Sequence, residues 1–180
     1  IGGSRDREFM KIFRNFGFTV GAEIGVAEGQ NAENMLKKVP GLRLYLVDPY
    51  ENYSEYKDYI GIPLQGIYEI AKERLKPYEG TQWVREYSIE AAKRFEDNSL
   101  DFVYIDANHG YESCYEDIKA WHEKVKVGGI VSGHDYGNMK GKPENRYGVI
   151  KAVDQWVKEN NLNLIILKKN IIKSWFYVKV

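Results

Sequence analysis

Acidic and imidazole side chains stand at the ends of several apolar runs in this sequence. Asp48, Asp106 and the pair His134 and Asp135 each close such a run. Short apolar runs predict buried strands. Ligands of an open α/β sheet bind beyond the carboxyl ends of its strands. A sheet does not need such groups for its own stability, so their recurrence at strand ends predicts a ligand site.

A glycine-containing turn follows the first predicted strand. Glu23, Gly25 and Gly29 form the pattern Glu-x-Gly-x-x-x-Gly, between an apolar run at 18–20 and a predicted helix at 31–39. Glycines adopt positive φ and let a ligand approach the backbone, and a helix N-terminus offers N–H groups to a carboxylate. Val26 stands where a dinucleotide-binding G-x-G-x-x-G turn has its second glycine. This difference counts against a nicotinamide cofactor.

A carboxylate and an imidazole at these strand ends suit ligand binding and proton transfer. Asp48 can accept hydrogen bonds from a ribose diol, although Asp is also common in turns before a proline. His109 follows Asp106 by three residues, and an imidazole with an ordinary pKa of about 6.5 can take a hydroxyl proton at neutral pH. The alternative for His109 is a histidine that caps or packs at a helix entry. His134 is the competing base.

The loop at 23–29, Asp48 and two longer motifs together resemble one enzyme family. The motifs are Ile-Asp-Ala-Asn-His at 105–109 and Gly-His-Asp-Tyr at 133–136. The combination resembles class I S-adenosylmethionine-dependent methyltransferases, of the methyltransferase-domain family that includes catechol O-methyltransferase-like and antibiotic-sugar O-methyltransferases. The resemblance covers nearly the whole chain from Thr19 onward. It implies methyl transfer from S-adenosyl-L-methionine, with the hydroxyl of a small molecule as the expected acceptor.

The resemblance also implies positions for the cofactor. The amino acid part of S-adenosylmethionine would lie at the loop, the ribose at Asp48, and the adenine near Ser88, which is alternatively only the N-cap of a short helix. An acceptor hydroxyl would lie over Asp106. The expected catalytic residues are His109, Asp106 and His134. The expected cofactor-binding residues are Glu23, Gly25, Val26, Glu28, Gly29, Asp48, Tyr50, Tyr87, Ser88 and Asp106.

A divalent metal is a further candidate at the ends of the fourth and fifth strands. Catechol O-methyltransferase-like enzymes hold a metal with an Asp after strand four and an Asp-Asn pair after strand five. Asp106 matches the first, whereas His134 and Asp135 stand at the pair, so the match is partial. This ligand set favours Mn²⁺, Fe²⁺ or Zn²⁺ over Mg²⁺. In the alternative, no metal binds and Asp106 contacts cofactor or substrate.

The elements that must position these residues alternate along the chain. A helix at 8–16 precedes about five strand–helix repeats, and two final strands at 162–167 and 175–180 are joined by a short connection. Alternation predicts a doubly wound, mostly parallel sheet with helices on both faces, and the short connection predicts an antiparallel hairpin. We therefore predict a single α/β domain with a seven-stranded Rossmann-like sheet. Residues 1–17 would form an N-terminal helix and residues 18–180 the cofactor-binding domain.

Composition limits the remaining function classes. The 180 residues include 26 Lys and Arg and 26 Asp and Glu, and this zero net charge argues against nucleic acid as a partner. A single cysteine, Cys114, cannot form an intrachain disulfide, and we find no membrane-spanning run or signal peptide. We expect a cytoplasmic enzyme, and a homo-oligomer is compatible with the sequence. The alternatives are a nicotinamide-dependent oxidoreductase and a non-catalytic cofactor-binding α/β domain.

Overall fold

The computed structural model describes residues 5–52, 61–137, 148–167 and 173–180, with side chains from Phe9 onward. Helices and strands alternate through these ranges as the sequence predicts. The helices are α1 (Arg5–Asn15), α2 (Gln30–Lys38), α3 (Leu64–Leu75), α4 (Ser88–Ala92), α5 (Tyr111–Lys124) and α6 (Val149–Glu159). The strands are β1 (Val20–Ile24), β2 (Arg43–Val47), β3 (Thr81–Val84), β4 (Leu100–Ile105), β5 (Val125–Tyr136), β6 (Ile165–Leu167) and β7 (Lys173–Val178).

The described strands form one sheet in the order β3-β2-β1-β4-β5-β7-β6. Strands β1 to β5 are parallel, and β7 runs antiparallel between β5 and β6. The strand order reverses between β1 and β4, which is where ligands bind in sheets of this type. The predicted fold class is confirmed, including the C-terminal antiparallel hairpin.

The carboxyl ends of four neighbouring strands lie in register. Ile24 at the end of β1 pairs with Val47 on one side and Ile105 on the other, and Ile105 pairs with Gly133 of β5. The residues that directly follow these four positions therefore meet at one edge of the sheet. This register places the predicted site residues of β1, β2, β4 and β5 side by side.

Two hydrophobic clusters cover the two faces of the sheet. On one face, α4, α5 and α6 bury the residues of a cluster that includes Trp121 and Trp156. On the other, α1, α2 and α3 form a cluster with Phe13, Met35 and Leu75. Burying side chains on both faces is what makes the central parallel strands near-continuous apolar runs. The site edge thus rests on a rigid sheet.

Helix α1 packs on the sheet with Phe9 and Phe13, which are fully buried. The ring of Phe13 stacks on Phe102 of β4 at a centroid distance of 4.0 Å. Phe16 and Ile70 are 58% and 47% exposed, although each stands in the sequence at helical spacing from other apolar residues. Phe16 lies beyond the end of α1, so helical periodicity no longer sets its direction, and Ile70 lies one position off the buried face of α3 defined by Ala71 and Leu75.

Candidate active site

A cavity of about 600 Å³ opens at the carboxyl ends of β1, β2 and β4. Its walls combine apolar side chains with carboxylates, and the charged side chains among the described lining residues are all acidic. A cavity of this size and character suits a small-molecule cofactor. The apolar lining includes Ile24, Val47, Leu64, Ile67 and Ile89, and the acidic lining is Asp48, Glu51, Glu90, Asp106, Glu112, Glu116 and Asp117.

Asp48 joins the cavity wall to the loop after β1. Its Oδ2 accepts hydrogen bonds from the N–H groups of Val26 at 2.9 Å and Ala27 at 3.1 Å, and its Oδ1 accepts one from the N–H of Tyr50 at 2.9 Å. A carboxylate has about four lone-pair sites, so Asp48 fixes the loop and keeps capacity for a ligand. The ribose contact predicted for Asp48 stays a prediction, whereas its role in holding the loop is a direct observation.

The backbone around this loop adopts conformations that side chains rarely favour. Gly25 has a φ of +86°, and a Cβ there would lie 2.2 Å from the backbone oxygen of Asp106. Ala27 and Tyr50 have φ values of 47° and 51°, and the Tyr50 hydroxyl donates to the carbonyl of Ala27 at 2.9 Å. Non-glycine residues at positive φ cluster at functional sites. Gly25, Ala27 and Tyr50 all line the cavity.

The other loop residues predicted to bind the cofactor lie in different surroundings. Glu23 is buried at the end of β1, and its Oε1 accepts a hydrogen bond from Asn31 at 2.8 Å. Val26 packs into the cluster beneath α1 to α3, and Gly29 lies against Leu75 of α3. Glu28 does not reach the cavity: its side chain is 48% exposed and lies 3.8 Å from Arg74. The loop turns Glu28 outward because Asp48 holds the preceding N–H groups on the cavity side.

Tyr87 and Ser88 both line the cavity, at the start of α4. The prediction that Ser88 caps this helix is wrong, because Ser88 is its first residue and the helix has no side-chain cap. The Ser88 hydroxyl instead accepts a hydrogen bond from Nε1 of Trp121 at 2.9 Å. This bond ties α4 to α5 at the cavity wall.

Four side chains form a charged cluster beside the cavity, two from the segment after β4 and two from the end of β5. Asp135 Oδ2 lies 2.9 Å from Nε2 of His109 and 3.0 Å from Nδ1 of His134. Asp106 Oδ1 lies 3.5 Å from Nε2 of His109 and 4.0 Å from Nδ1 of His134. Asp106 also lines the cavity, so it connects the cluster to the cavity. The structure thus brings together the residues predicted for catalysis and metal binding.

The charges of this cluster differ from those of isolated side chains. Burial lowers the pKa of His109, but hydrogen bonds to Asp106 and Asp135 and the charges of both carboxylates outweigh burial and raise that pKa to about 10. Burial raises the pKa of Asp135, and the bonds and charges of His109 and His134 more than reverse this, so the pKa lies well below its usual range. This raised pKa favours a protonated His109 at neutral pH in the ligand-free protein, and the catalytic role predicted for His109 stays a prediction.

Asp106, His134 and Asp135 also have the arrangement of a metal site. Each offers one ligand atom, and these atoms all lie within 4.8 Å of one another. Two carboxylates and one imidazole suit Mn²⁺, Fe²⁺ or Zn²⁺. The residues fit a metal ion, although His109 already places a positive charge 2.9 Å from Asp135.

Sequence reasoning missed one whole wall of the cavity. Glu112, Ser113, Glu116 and Asp117 of α5 line it, whereas periodicity draws attention to the apolar stripe of that helix. The available signal is Asp117, an acidic residue one turn before the buried Trp121. A carboxylate on the buried side of an amphipathic helix is unusual unless it has a partner.

Comparisons with solved structures support the assignment of this fold. The O-methyltransferase from Bacillus cereus in complex with SAH is 12% identical with a TM-score of 0.72, over 99% of this chain and 82% of that chain. The O-methyltransferase TomG from Streptomyces achromogenes, involved in tomaymycin synthesis and solved in complex with SAM, is 13% identical with a TM-score of 0.72, over 100% and 82%. Cofactor-bound Rv0187 from MTB is 12% identical with a TM-score of 0.76, over 99% and 80%. At these identities the likeness establishes the fold.

A match of the sequence to a family model identifies the family of the protein. It has no significant match among curated proteins. A family model described as a methyltransferase domain matches residues 22–136, which include the loop after β1 and the strand ends that form the charged cluster. Because this match spans more than half of the chain, the protein belongs to the methyltransferase-domain family.

Proposed function

We propose that the protein transfers a methyl group from S-adenosylmethionine to a hydroxyl group of a small molecule. The observation that carries this proposal is a cavity at the strand-order reversal whose charged lining is wholly acidic among the described residues. S-adenosylmethionine carries a sulfonium and an ammonium group, and carboxylates in a partly enclosed site favour a cation. The solved relatives named O-methyltransferases in complex with SAM or SAH support the same cofactor and reaction.

The proposed orientation follows from the contacts of the loop after β1. Asp48 accepts the N–H groups of Val26, Ala27 and Tyr50, and its one remaining lone-pair site would accept a ribose hydroxyl. The apolar walls at Ile67 and Ile89 would cover the base. When bound, S-adenosylmethionine supplies an electrophilic methyl group on a positively charged sulfur. Holding two reactants in line contributes about 7–11 kcal/mol to such reactions.

The charged cluster would prepare the acceptor. The hydroxyl would lie over Asp106, which borders both the cavity and the cluster. The imidazolium of His109 would favour the deprotonated oxygen of the acceptor. We propose His134 as the base: its Nδ1 lies 3.0 Å from Asp135, so an Nδ1–H that donates there leaves the proton-accepting lone pair on Nε2. Asp135 would keep both histidines in place.

A divalent metal is a second way to activate the acceptor at the same place. Asp106, His134 and Asp135 would hold it, and it would lower the pKa of a bound hydroxyl. Elemental analysis of the purified protein, with thermal unfolding in Mn²⁺, Zn²⁺ and EDTA, tests this. A bound ion together with a stabilising shift supports the metal site. An ion-free protein that no ion stabilises contradicts it.

Product formation tests the proposed reaction. The protein is incubated with S-adenosylmethionine and matched acceptors, such as a phenol and the corresponding aniline, and S-adenosylhomocysteine is measured. We expect turnover with hydroxyl acceptors and its loss in His109→Gln, which should still bind the cofactor. Turnover with amines alone would contradict O-methylation. A nicotinamide cofactor is not favoured, because Val26 is packed in the core, and a non-catalytic domain does not explain the charged cluster.

The proposed setting is the cytoplasm, with a small-molecule acceptor as the partner. In the part of the chain that the structure describes, no helix has the length and apolar character needed to cross a membrane. Fractionation of cells that express the full-length protein tests the location. Equilibrium sedimentation tests whether copies associate.

A further inference from the structure

His134 and Asp135 are neighbours in the chain, yet both side chains enter the charged cluster. Oδ2 of Asp135 lies 3.0 Å from Nδ1 of His134 and 2.9 Å from Nε2 of His109. Nδ1 of His134 also lies 4.0 Å from Oδ1 of Asp106. Successive side chains of a regular strand point to opposite faces of the sheet. A regular end of β5 would therefore keep one of these two side chains out of the cluster.

A β-bulge at the end of β5 removes this restriction. Gly133 pairs with Trp175 of β7, and Tyr136 pairs with Lys173, so the two cluster residues of β5 oppose a single residue of β7. Bulges of this kind re-aim side chains and are common beside active sites. Asp135 has a φ of 58° in the bulge, a conformation that non-glycine residues keep only when the surrounding structure holds it. The bulge therefore needs support from its neighbours.

The indole of Trp175 supplies this support from the neighbouring strand. Its Nε1 donates a buried hydrogen bond to the carbonyl oxygen of His134 at 3.1 Å, and Trp175 is only 1% exposed. Gly133 makes room for the ring, because a Cβ there would lie 2.7 Å from the indole. A buried carbonyl that loses its donor is costly. The indole bond therefore stabilises the backbone conformation that the bulge imposes at His134.

We propose that Trp175 is a positioning residue for methyl transfer, because its indole N–H holds the bulge that turns His134 and Asp135 together into the charged cluster. This inference rests on the proposed function, since it concerns the residues that would prepare the acceptor hydroxyl. Trp175 belongs to the C-terminal hairpin, outside the residues 22–136 that match the family model. The hairpin thus sets the geometry of the cluster as well as completing the sheet.

Trp175→Phe tests the inference, since it removes the N–H donor and keeps an aromatic ring. NMR spectra of the histidine ring nitrogens, recorded without ligand at one neutral pH, should show shifted signals for His134. Turnover of a phenol acceptor should fall about 10- to 100-fold, as expected when a group that acts on the substrate is displaced. S-adenosylhomocysteine should bind as tightly as it does to the wild type, because Asp48 and the loop after β1 make no contact with Trp175.

Trp156→Phe is the matched control. Nε1 of Trp156 donates a buried hydrogen bond of 2.9 Å to the Tyr177 hydroxyl, and both tryptophans belong to the same hydrophobic cluster. This variant also loses a buried indole bond, but away from the bulge, so it should keep the turnover and the His134 signals of the wild type. Unchanged His134 signals in Trp175→Phe overturn the inference, and so does an equal loss of turnover in Trp156→Phe.

Two further provisions keep the test decisive. If Trp175→Phe does not fold, replacement of Trp175 by benzothienylalanine serves instead, because this analogue has the shape of tryptophan and a sulfur in place of the N–H donor. The His134 signals need neither cofactor nor acceptor, so they decide the role of Trp175 on their own. A wild-type protein that neither binds S-adenosylhomocysteine nor methylates any acceptor would instead contradict the proposed function.

Discussion

Two carboxylates at the same sheet edge, Asp48 and Asp135, have different kinds of partner. Asp48 accepts three backbone N–H groups, so it fixes the shape of the loop that borders the cavity. Asp135 lies between two imidazoles at 2.9 and 3.0 Å, so it favours the charged form of His109 and holds His134 in place. Backbone amides do not titrate, whereas imidazoles do. The charge of the cluster should therefore depend on pH, whereas the backbone N–H groups of the loop keep theirs.

Of the changes considered, removal of the Asp135 charge should lower the stability of the protein most. Asp135→Asn leaves the His109 cation without its shortest contact, and breaking a buried pair costs about 3–5 kcal/mol. The pKa of His109 should also fall below its value of about 10. Urea unfolding at pH 7 and an NMR titration of the histidines measure the two effects.

The matched control is Asp97→Asn. Asp97 bonds to Lys124 at 2.6 Å, but its side chain is 61% exposed. Asp97→Asn should therefore lower the free energy of unfolding much less than Asp135→Asn does. Equal losses in Asp97→Asn and Asp135→Asn would show that Asp135 is no more than a surface partner.

The second prediction concerns pH. The folded pKa of His109 is about 10 and the unfolded one is about 6.5, so folding is linked to proton uptake between these values. The stabilisation is complete below pH 6.5 and is lost as pH rises toward 10. The slope is at most about 1.4 kcal/mol per pH unit. Unfolding free energies from pH 7 to 9 should fall in the wild type and fall less in His109→Gln.

His122→Gln is the control for this pH dependence. Burial lowers the pKa of His122, and the charge of Lys179 lowers it further, so His122 is neutral in both states above pH 7. Its variant should therefore keep the wild-type slope. A His109→Gln profile parallel to that of the wild type would contradict the raised pKa.

A smaller effect is expected for Asp48, which borders the cavity and should influence ligand binding. Asp48→Asn weakens the acceptor for three backbone N–H groups, so binding of S-adenosylhomocysteine should weaken about tenfold. Asp101→Asn is a matched control, because Asp101 also accepts two backbone N–H groups, from Thr19 at 2.7 Å and Val20 at 2.9 Å, outside the cavity. If Asp101→Asn weakens binding as much as Asp48→Asn, the effect is one of global stability.

The smallest effect on stability and binding is expected for Glu28, the loop carboxylate that faces away from the cavity. Glu28→Gln removes an exposed carboxylate near Arg74, and stability should change by less than about 0.5 kcal/mol. Binding of S-adenosylhomocysteine should not change, as calorimetry would show. A marked loss of binding would mean that Glu28 turns into the cavity when the ligand arrives.

The sequence predicts which residues lie at the sheet edge better than it predicts their protonation and hydrogen bonds. Apolar runs and their acidic ends locate Asp48, Asp106 and Asp135, because alternating strands and helices predict parallel strands whose carboxyl ends share one edge of the sheet. Residue type alone does not give the protonation of His109, since that depends on a carboxylate from another strand. Nor does it show that Ser88 bonds to Trp121 rather than capping α4, because the two residues lie 33 positions apart and only the fold brings them together.

Calorimetric titration of the wild-type protein with S-adenosylhomocysteine at pH 7 tests the central claim most directly. We predict one site per chain with a dissociation constant on the order of 1–100 μM. A titration without heat at millimolar ligand would contradict the assignment of the acidic cavity to this cofactor.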